Sequence, residues 1–291
     1  MTSHARENLH FSNLKIRTVS AVQHVRKMRG GAQSQLMRCS DGELYVVKFT
    51  NNPQHLRVLA NEMFASLLAR HLGLAVAEGV IVTVDASLVR ASEMTIQLQR
   101  TTIPCQSGLQ FGSLHVESAR GAVFDYFPTN LFDQVRNRQQ FWGMLAFDKW
   151  TCNADMRQAA FWKVSRKRLY NATFIDQGYC FNGGDWLLKD NVQRGIYAHN
   201  EVYTDVRNWE SFEPWLSGIE SMEKGVVQCL AGAIPLGWRG DDKRALKCLA
   251  LLLHERRNEV RGAINSFRLS TRRPFPNWEG DEVISRDGSA G

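Results

Sequence analysis

The sequence has no hydrophobic run long enough to cross a membrane. Its most apolar run, Leu249–Leu253, is five residues long, whereas a transmembrane helix needs about 20 apolar residues. The N-terminus also lacks the apolar segment of a signal peptide. We therefore predict a cytoplasmic protein without a membrane span.

Closely spaced cysteine or histidine ligands are also missing. The six cysteines are far apart in the sequence, and none of the eight histidines belongs to an HExxH motif. Zinc sites and redox pairs use ligands at short, regular spacings, so neither kind of site is expected. We expect reduced thiols, because a chain of 291 residues builds a sufficient core without disulfides.

The charge balance is only mildly basic, with 36 Lys and Arg against 29 Asp and Glu and a net charge of +7. Such an excess suits an anionic ligand such as a nucleotide and does not require nucleic acid. Nucleic-acid binding is a third alternative that rests on this charge and on the arginines between Arg256 and Arg273, which we interpret as a solvated helix face and a basic tail. With 44% hydrophobic residues, the chain is globular and long enough for two lobes.

Residues 16–105 are predicted to form a first lobe, a mostly antiparallel sheet with one long helix. Segments rich in β-branched and aromatic residues alternate with turn signals such as Asp41-Gly42, which is typical of hairpins. After Pro53, apolar residues recur at helical spacing until Gly73 ends the pattern.

Residues 106–278 are predicted to form a mainly helical second lobe, with flexible termini at 1–15 and 279–291. Between Arg138 and Cys152 the apolar residues fall on one helix face, and Asp148 lies on the same stripe. An unpaired carboxylate is costly to bury. We therefore predict that Asp148 is buried and accepts hydrogen bonds from the following loop or from Arg157.

A glycine turn, a strand lysine and a helix glutamate follow one another in the first lobe. Glycines in a turn let backbone N–H groups approach phosphate oxygens without a Cβ in the way. A lysine in an apolar strand is explained if its ammonium contacts phosphates and a helix carboxylate fixes its position. The alternative is an ordinary hairpin with a solvent-facing lysine. The predicted phosphate-binding set is Gly30, Gly31, Gln33, Ser34, Lys48 and Glu62.

Two aspartates follow in the second lobe, Asp155 on a loop after the predicted core helix and Asp176 at the end of a buried β segment. A carboxylate in the first position can accept a proton from a hydroxyl, and one in the second can ligate Mg²⁺. Each aspartate alone is typical of an ordinary turn. Together, downstream of Lys48 and Glu62, they indicate a nucleotide-dependent phosphotransferase.

These motifs resemble the HipA-like kinase family, whose fold is similar to that of protein kinases and of phosphatidylinositol 3- and 4-kinases. The resemblance implies a two-lobed α+β fold. It implies that Lys48 contacts the phosphates of ATP and that Glu62 orients Lys48. It also implies that Asp155 is the catalytic aspartate and that Asp176 holds Mg²⁺. The segments that carry the resemblance are 28–74, 147–163, 172–181 and 256–278.

One position departs from the pattern of this family. Relatives carry a metal-binding asparagine five residues after the catalytic aspartate, where this chain has Ala160. Gln158 is a nearby oxygen donor and is assigned to the catalytic loop and to the metal. Arg157, which replaces a histidine of many relatives, is assigned to the catalytic loop. It either neutralises the transferred phosphate or forms a salt bridge that holds the loop.

The sequence thus predicts an ATP- and Mg²⁺-dependent phosphotransferase with the nucleotide between two lobes. It does not name the phosphate acceptor: a protein Ser or Thr hydroxyl is one candidate, beside a lipid head group or a small molecule. The alternative is a pseudoenzyme with a kinase fold that binds nucleotide or a protein partner without turnover, because Ala160 cannot ligate a metal.

Overall fold

The β-branched and aromatic residues of the first lobe form a closed five-stranded barrel. The computed structural model describes residues 15–116, 123–163, 167–240, 242 and 244–279. The strands of this lobe are β1 (Thr18–Lys27), β2 (Gln35–Cys39), β3 (Leu44–Lys48), β4 (Gly79–Val84), β5 (Thr95–Leu98), β6 (Thr101–Pro104) and β7 (Gly108–Leu114). The order in the barrel is β1-β2-β3-β7-β4, in which β1 and β4 are parallel and the other pairs are antiparallel.

The first lobe extends further along the chain than predicted, because it includes strand β7. Phe111 on β7 lies opposite Lys48 on β3 and also opposite Ile81 on β4, so β7 fills the position that closes the barrel. The prediction that the second lobe begins at residue 106 is therefore wrong. Gly112 of β7 is required by close packing, since a Cβ there would lie 2.4 Å from Cγ2 of Val82.

Helix α1 (Val58–His71) lies between the two lobes and is buried over most of its surface. Its apolar side chains join the core of the second lobe, whereas the barrel interior forms a separate core. A short second helix, α2 (Ala86–Ala91), also belongs to the first lobe and was not expected from the sequence. Helix α1 therefore connects the barrel to the rest of the molecule.

The second lobe is mainly helical, as predicted, and also contains a three-stranded antiparallel sheet. The chain turns between Arg256 and Val260, so the apolar residues near the C-terminus lie on two abutting helices. The elements of this lobe are β8 (Val123–Phe124), α3 (Gln140–Trp150), β9 (Gln158–Trp162), β10 (Asn171–Ile175), α4 (Trp215–Glu220), α5 (Lys224–Gly232), α6 (Ala245–Arg256) and α7 (Val260–Arg268).

The lobes also touch through backbone groups. The indole Nε1 of Trp238, in the 3₁₀ turn Leu236–Trp238, donates to the carbonyl oxygen of Leu109 on β7 at 3.0 Å. Val76, after α1, forms an isolated parallel bridge with Phe174 on β10. Within the described ranges, none of the helices combines the length and hydrophobicity that a membrane crossing requires. The termini predicted to be flexible fall almost wholly outside those ranges.

Candidate active site

Lys48 joins the two lobes at the centre of the cleft. It is the last residue of β3, is 7% exposed, and donates to a carboxylate oxygen of Glu62 on α1 and to Oδ1 of Asp176 at 2.8 Å. The other carboxylate oxygen of Glu62 accepts the backbone N–H of Gln177 at 2.9 Å. The predicted ion pair of Lys48 with Glu62 is confirmed, and the alternative of a solvent-facing lysine is excluded.

The charges of this cluster are strongly coupled. Burial opposes the charged form of Lys48, but the two carboxylates outweigh it and raise the pKa of the ammonium. Burial likewise opposes ionisation of Asp176, but Lys48 outweighs it and lowers the pKa of that carboxyl to about 2. For Glu62 burial dominates, and its pKa is raised. Asp176 is therefore ionised near neutral pH.

The glycine turn between β1 and β2 is closed by backbone bonds. Gly30 has a φ of +117°, which a side chain rarely allows, and its carbonyl accepts the N–H of Gln33 at 3.1 Å. The carbonyl of Ser34, which is buried, accepts the N–H of Met28 at 2.8 Å. The turn therefore needs glycine at position 30, where the backbone is left-handed.

Gln33 does not fit its predicted role, because its side chain is already engaged. Its Oε1 accepts from Nζ of Lys27 at 2.8 Å and from the N–H of Gln97 at 2.9 Å, and its Nε2 donates to the carbonyl of Gln97 at 2.7 Å. The side chain thus ties the glycine turn to strand β5. Because the backbone N–H of Gln33 also donates to the carbonyl of Gly30, the structure gives no support to the predicted phosphate contact of Gln33.

The segment between β3 and α1 packs beneath the glycine turn. Nδ2 of Asn52 donates to the carbonyl of Ala32 at 3.1 Å, and a Cβ on Gly31 would lie 3.4 Å from Nε2 of Gln54. Within the described part of the chain, Oε1 of Gln54 is buried and has no hydrogen-bond partner. This oxygen can only accept a hydrogen bond, so Gln54 would contact a phosphate only with its amide rotated to present Nε2.

Asp155 is positioned by its neighbour Asn153 on the loop after α3. The Oδ1 of Asn153 accepts the backbone N–H of Asp155 at 3.0 Å, and its Nδ2 donates to Oδ1 of Asp148 at 3.0 Å. The carboxylate of Asp155 accepts the N–H of Met156 at 2.7 Å and is only partly buried. It is thus held at one oxygen, which leaves the other for a substrate proton.

A buried ion pair lies beneath this loop. Asp148 is 1% exposed and Arg157 is 3% exposed, and Nε of Arg157 donates to Oδ2 of Asp148 at 2.9 Å. The remaining guanidinium nitrogens reach Asp148 Oδ1, the carbonyls of Ile175 and Asp176, and the side chain of Gln177. The prediction for Asp148 is confirmed.

For Arg157, the assignment to phosphate neutralisation is wrong, because the guanidinium is enclosed and all its nitrogens are engaged. Of the two readings that the sequence left open, the salt bridge that holds the loop is the one observed. Through this bridge the loop that carries Asp155 is fastened to the backbone of Asp176.

Gln158 lies next to Asp176 because β9 and β10 pair in a fixed register. Gln158 is opposite Ile175, and its Nε2 lies 3.3 Å from Oδ2 of Asp176. Ala160 is opposite Thr173, two residues further from Asp176, and is 4% exposed. The structure therefore brings together Lys48, Glu62, Gln158 and Asp176, and leaves Ala160 in the packed sheet.

The donors at Asp176 suit a magnesium ion that arrives with phosphates. Among the described residues no group of three or more His, Cys, Asp or Glu side chains forms a metal site. Asp176 offers one carboxylate that is 27% exposed. Rotation of the neighbouring amide of Gln158 would turn its oxygen toward a metal ion bound at that carboxylate. Mg²⁺ keeps several waters and often binds one or two carboxylates plus substrate phosphates, so these residues fit.

Asn61 was not predicted from the sequence to belong to the site, and His55 was given no role. Asn61 is fully buried on α1 next to Glu62, and Nε2 of His55 contacts the carbonyl of Gly178 at 3.0 Å. Asn61 could have been found as a polar residue within the apolar pattern of a helix. The same kind of observation, in a strand, identified Lys48.

The solved structures to which this chain is similar include kinases. The Helicobacter pylori proinflammatory kinase CtkA aligns with a TM-score of 0.53 at 14% identity, over 88% of this chain and 100% of that one. The Golgi casein kinase aligns with a TM-score of 0.52 at 12% identity, over 90% and 75% of the two chains. A structure of the Golgi casein kinase with Mn/ADP bound aligns with a TM-score of 0.49 at 13% identity, over 90% and 75%. The first two likenesses establish a kinase fold.

The family follows from the sequence itself. A family model described as HipA-like kinase matches residues 21–265. The chain therefore belongs to the HipA-like kinase family. No curated protein matches the sequence.

Proposed function

We propose that this protein is an ATP- and Mg²⁺-dependent phosphotransferase that binds its nucleotide between the lobes. The observation that carries the proposal is the position of Lys48, which bridges Glu62 on α1 and Asp176 next to the catalytic loop. A purely structural ion pair would need one carboxylate. The second one, partly exposed, has the chemistry of a metal ligand.

Each residue of the cluster has a distinct task in this proposal. The ammonium of Lys48 contacts phosphate oxygens while Glu62 keeps it in place. Asp176 and Gln158 hold Mg²⁺, which supplies charge neutralisation at the phosphates. Asp155 orients the acceptor hydroxyl and takes its proton as the oxygen bonds to the γ-phosphorus and the bond to ADP breaks. The glycine turn covers the phosphates with backbone N–H groups.

The acceptor is an alcohol group, and a protein Ser or Thr hydroxyl is the first candidate to test. The partly exposed Asp155 favours an acceptor that approaches from outside the cleft.

A pseudoenzyme that binds nucleotide without turnover is the second candidate. The buried, packed position of Ala160 favours it, because the second metal ligand of related kinases is absent at that position and Gln158 offers only a neutral amide.

Thermal-shift titrations with ATP, with and without Mg²⁺, separate these candidates. The phosphotransferase predicts stabilisation that depends on Mg²⁺, is lost in Asp176→Asn and persists in Asp205→Asn, a control at a surface ion pair. Transfer of the γ-phosphate to protein hydroxyls should disappear in Asp155→Asn while nucleotide binding remains. Metal-independent stabilisation without transfer would establish the pseudoenzyme instead, and no stabilisation would refute both.

A further inference from the structure

The loop that follows Asp176 is bound to the first turns of α1 at several of its residues. This loop, residues 177–186, contains Gly178, which packs so closely on the helix that a Cβ there would lie 2.8 Å from Cγ2 of Val58 and 3.1 Å from Oε1 of Glu62. Helix α1 and the Asp176 loop are therefore in direct contact, with no room for an intervening side chain.

Asn61 makes most of the polar contacts between them. Its side chain is fully buried, and its Nδ2 lies 2.9 Å from the carbonyl of Gly178, 3.0 Å from that of Cys180 and 2.8 Å from that of Gly183. Its Oδ1 accepts the indole N–H of Trp186 at 2.6 Å. One side chain thus satisfies backbone and side-chain groups along nine residues of the loop.

Two neighbours of Asn61 reinforce this attachment. The carbonyl of Gly178 can only accept, so Nε2 of His55 donates to it at 3.0 Å. The guanidinium of Arg57 donates to the carbonyl of Gly184 at 3.0 Å and lies 4.1 Å from the ring centroid of Trp186. These contacts leave the loop little freedom while α1 stays in place.

Glu62, the next residue on the helix, accepts from Lys48 and from the N–H of Gln177. We infer that Asn61 is a positioning residue that fixes the loop carrying Asp176 to α1, so that Asp176, Glu62 and Lys48 are assembled before any nucleotide or metal binds. This inference rests on the proposed function for its consequence, the affinity for Mg·ATP. The attachment of the loop itself does not depend on it.

Removal of Asn61 should loosen the loop, because the carbonyl of Gly183 loses its donor and the carbonyls of Gly178 and Cys180 each lose one of two. In Asn61→Ala, amide hydrogen exchange of residues 176–186 in the unliganded protein should accelerate about tenfold or more, and the Kd for ATP in the presence of Mg²⁺ should rise about tenfold, the equivalent of one lost hydrogen bond to a buried group. The Kd for ATP without Mg²⁺ should change little, because the glycine turn remains intact.

Two further variants separate the contacts. Asn61→Asp keeps the acceptor for Trp186 and loses the donor to the carbonyls, so it should match or exceed the effect of Asn61→Ala. Trp186→Phe keeps the ring under Arg57 and loses only the indole N–H, so it should show a smaller effect in the same direction. It also serves as the test if Asn61→Ala does not fold. Asn200→Ala is the matched control, since it removes similar hydrogen bonds with Arg272, away from the cleft.

A merely structural Asn61 predicts a different result. In that case Asn61→Ala would lower the unfolding temperature as Asn200→Ala does, yet leave the exchange of residues 176–186 and the Mg²⁺ dependence of ATP binding as in the parent. That outcome overturns the inference. If the parent binds no ATP, the proposed function fails, and the exchange measurement alone still decides the role of Asn61.

Discussion

Lys48 shows how much a single side chain can depend on its surroundings. Its ammonium is almost completely removed from water between Glu62 and Asp176. Such an arrangement is tolerable only while all three charges remain, because each compensates the desolvation of the others. The lysine is therefore important for stability as well as for the proposed contact with phosphate.

Lys48→Met should lower the free energy of unfolding by about 3 kcal/mol, because it leaves two carboxylates in the cleft without their cation. The double variant Lys48→Met/Glu62→Gln should recover part of this loss, since one of the two charges is then neutral. Denaturant unfolding measures both values. Lys189→Met, at an exposed lysine, is the control, and a loss for Lys48→Met no larger than for this control would contradict the argument.

The residues that the sequence predicted correctly share one property. Lys48 and Asp148 are charged residues at positions where the periodicity demanded apolar ones, and a buried charge must have a partner. Gln33 was assigned to phosphate because its partner Gln97 is brought to it by tertiary structure, whereas for Arg157 the salt bridge with Asp148 was one of the two roles that the sequence left open. Sequence spacing cannot show whether a polar side chain is already satisfied.

Among the elements, those with a marked residue pattern were predicted better than those whose formation depends on pairing with strands that are distant in the sequence. The lysine strand was predicted from its β-branched and aromatic residues, and the helix that follows it from helical periodicity. Strand β7, in contrast, contains two glycines and polar residues. It is stabilised by pairing with both β3 and β4, and Gly112 allows the strand to pack closely against Val82. Its partners are far away in the sequence.

Helix α3 offers a test of close packing between elements. A Cβ at Gly143 would lie 2.2 Å from Cδ2 of Trp215 on α4. Gly143→Ala should therefore destabilise the protein by about 2 kcal/mol through overpacking, although alanine is the better helix former. Gly262→Ala on α7, where a Cβ would meet nothing within 4 Å, should instead stabilise by about 0.5–1 kcal/mol. Thermal unfolding of the two variants compares them, and equal signs would contradict the packing argument.

At the scale of the whole molecule, the ion pair of Lys48 with Asp176 makes the stability of the folded protein depend on pH. Burial disfavours the charged form of Asp176, but Lys48 outweighs it, so the pKa falls from 3.8 to about 2. A carboxyl with a lower pKa in the folded state binds fewer protons there than in the unfolded chain. Its stabilisation is thus complete above pH 3.8 and is lost as the pH falls through 2.

The advantage of the parent over Asp176→Asn in unfolding free energy should therefore be constant near neutral pH and shrink between pH 4 and pH 2. Denaturant unfolding at a series of pH values measures this difference. Asp205→Asn, at a surface pair with Arg138, should show a much smaller change. A constant difference across the acid range would mean that Asp176 is not held ionised by Lys48.

The contact of Trp238 with Leu109 bears on the rate at which a product can leave the space between the lobes. It fastens the second lobe to strand β7 of the barrel, while Lys48 fastens the lobes at Asp176. Enzymes of this kind commonly exchange their products through lobe or lid opening, which often sets the pace of turnover. With a nucleotide between the lobes as proposed, the escape of spent ADP requires these attachments to part. Under the proposed function, the release of ADP, rather than phosphate transfer, then limits the turnover rate.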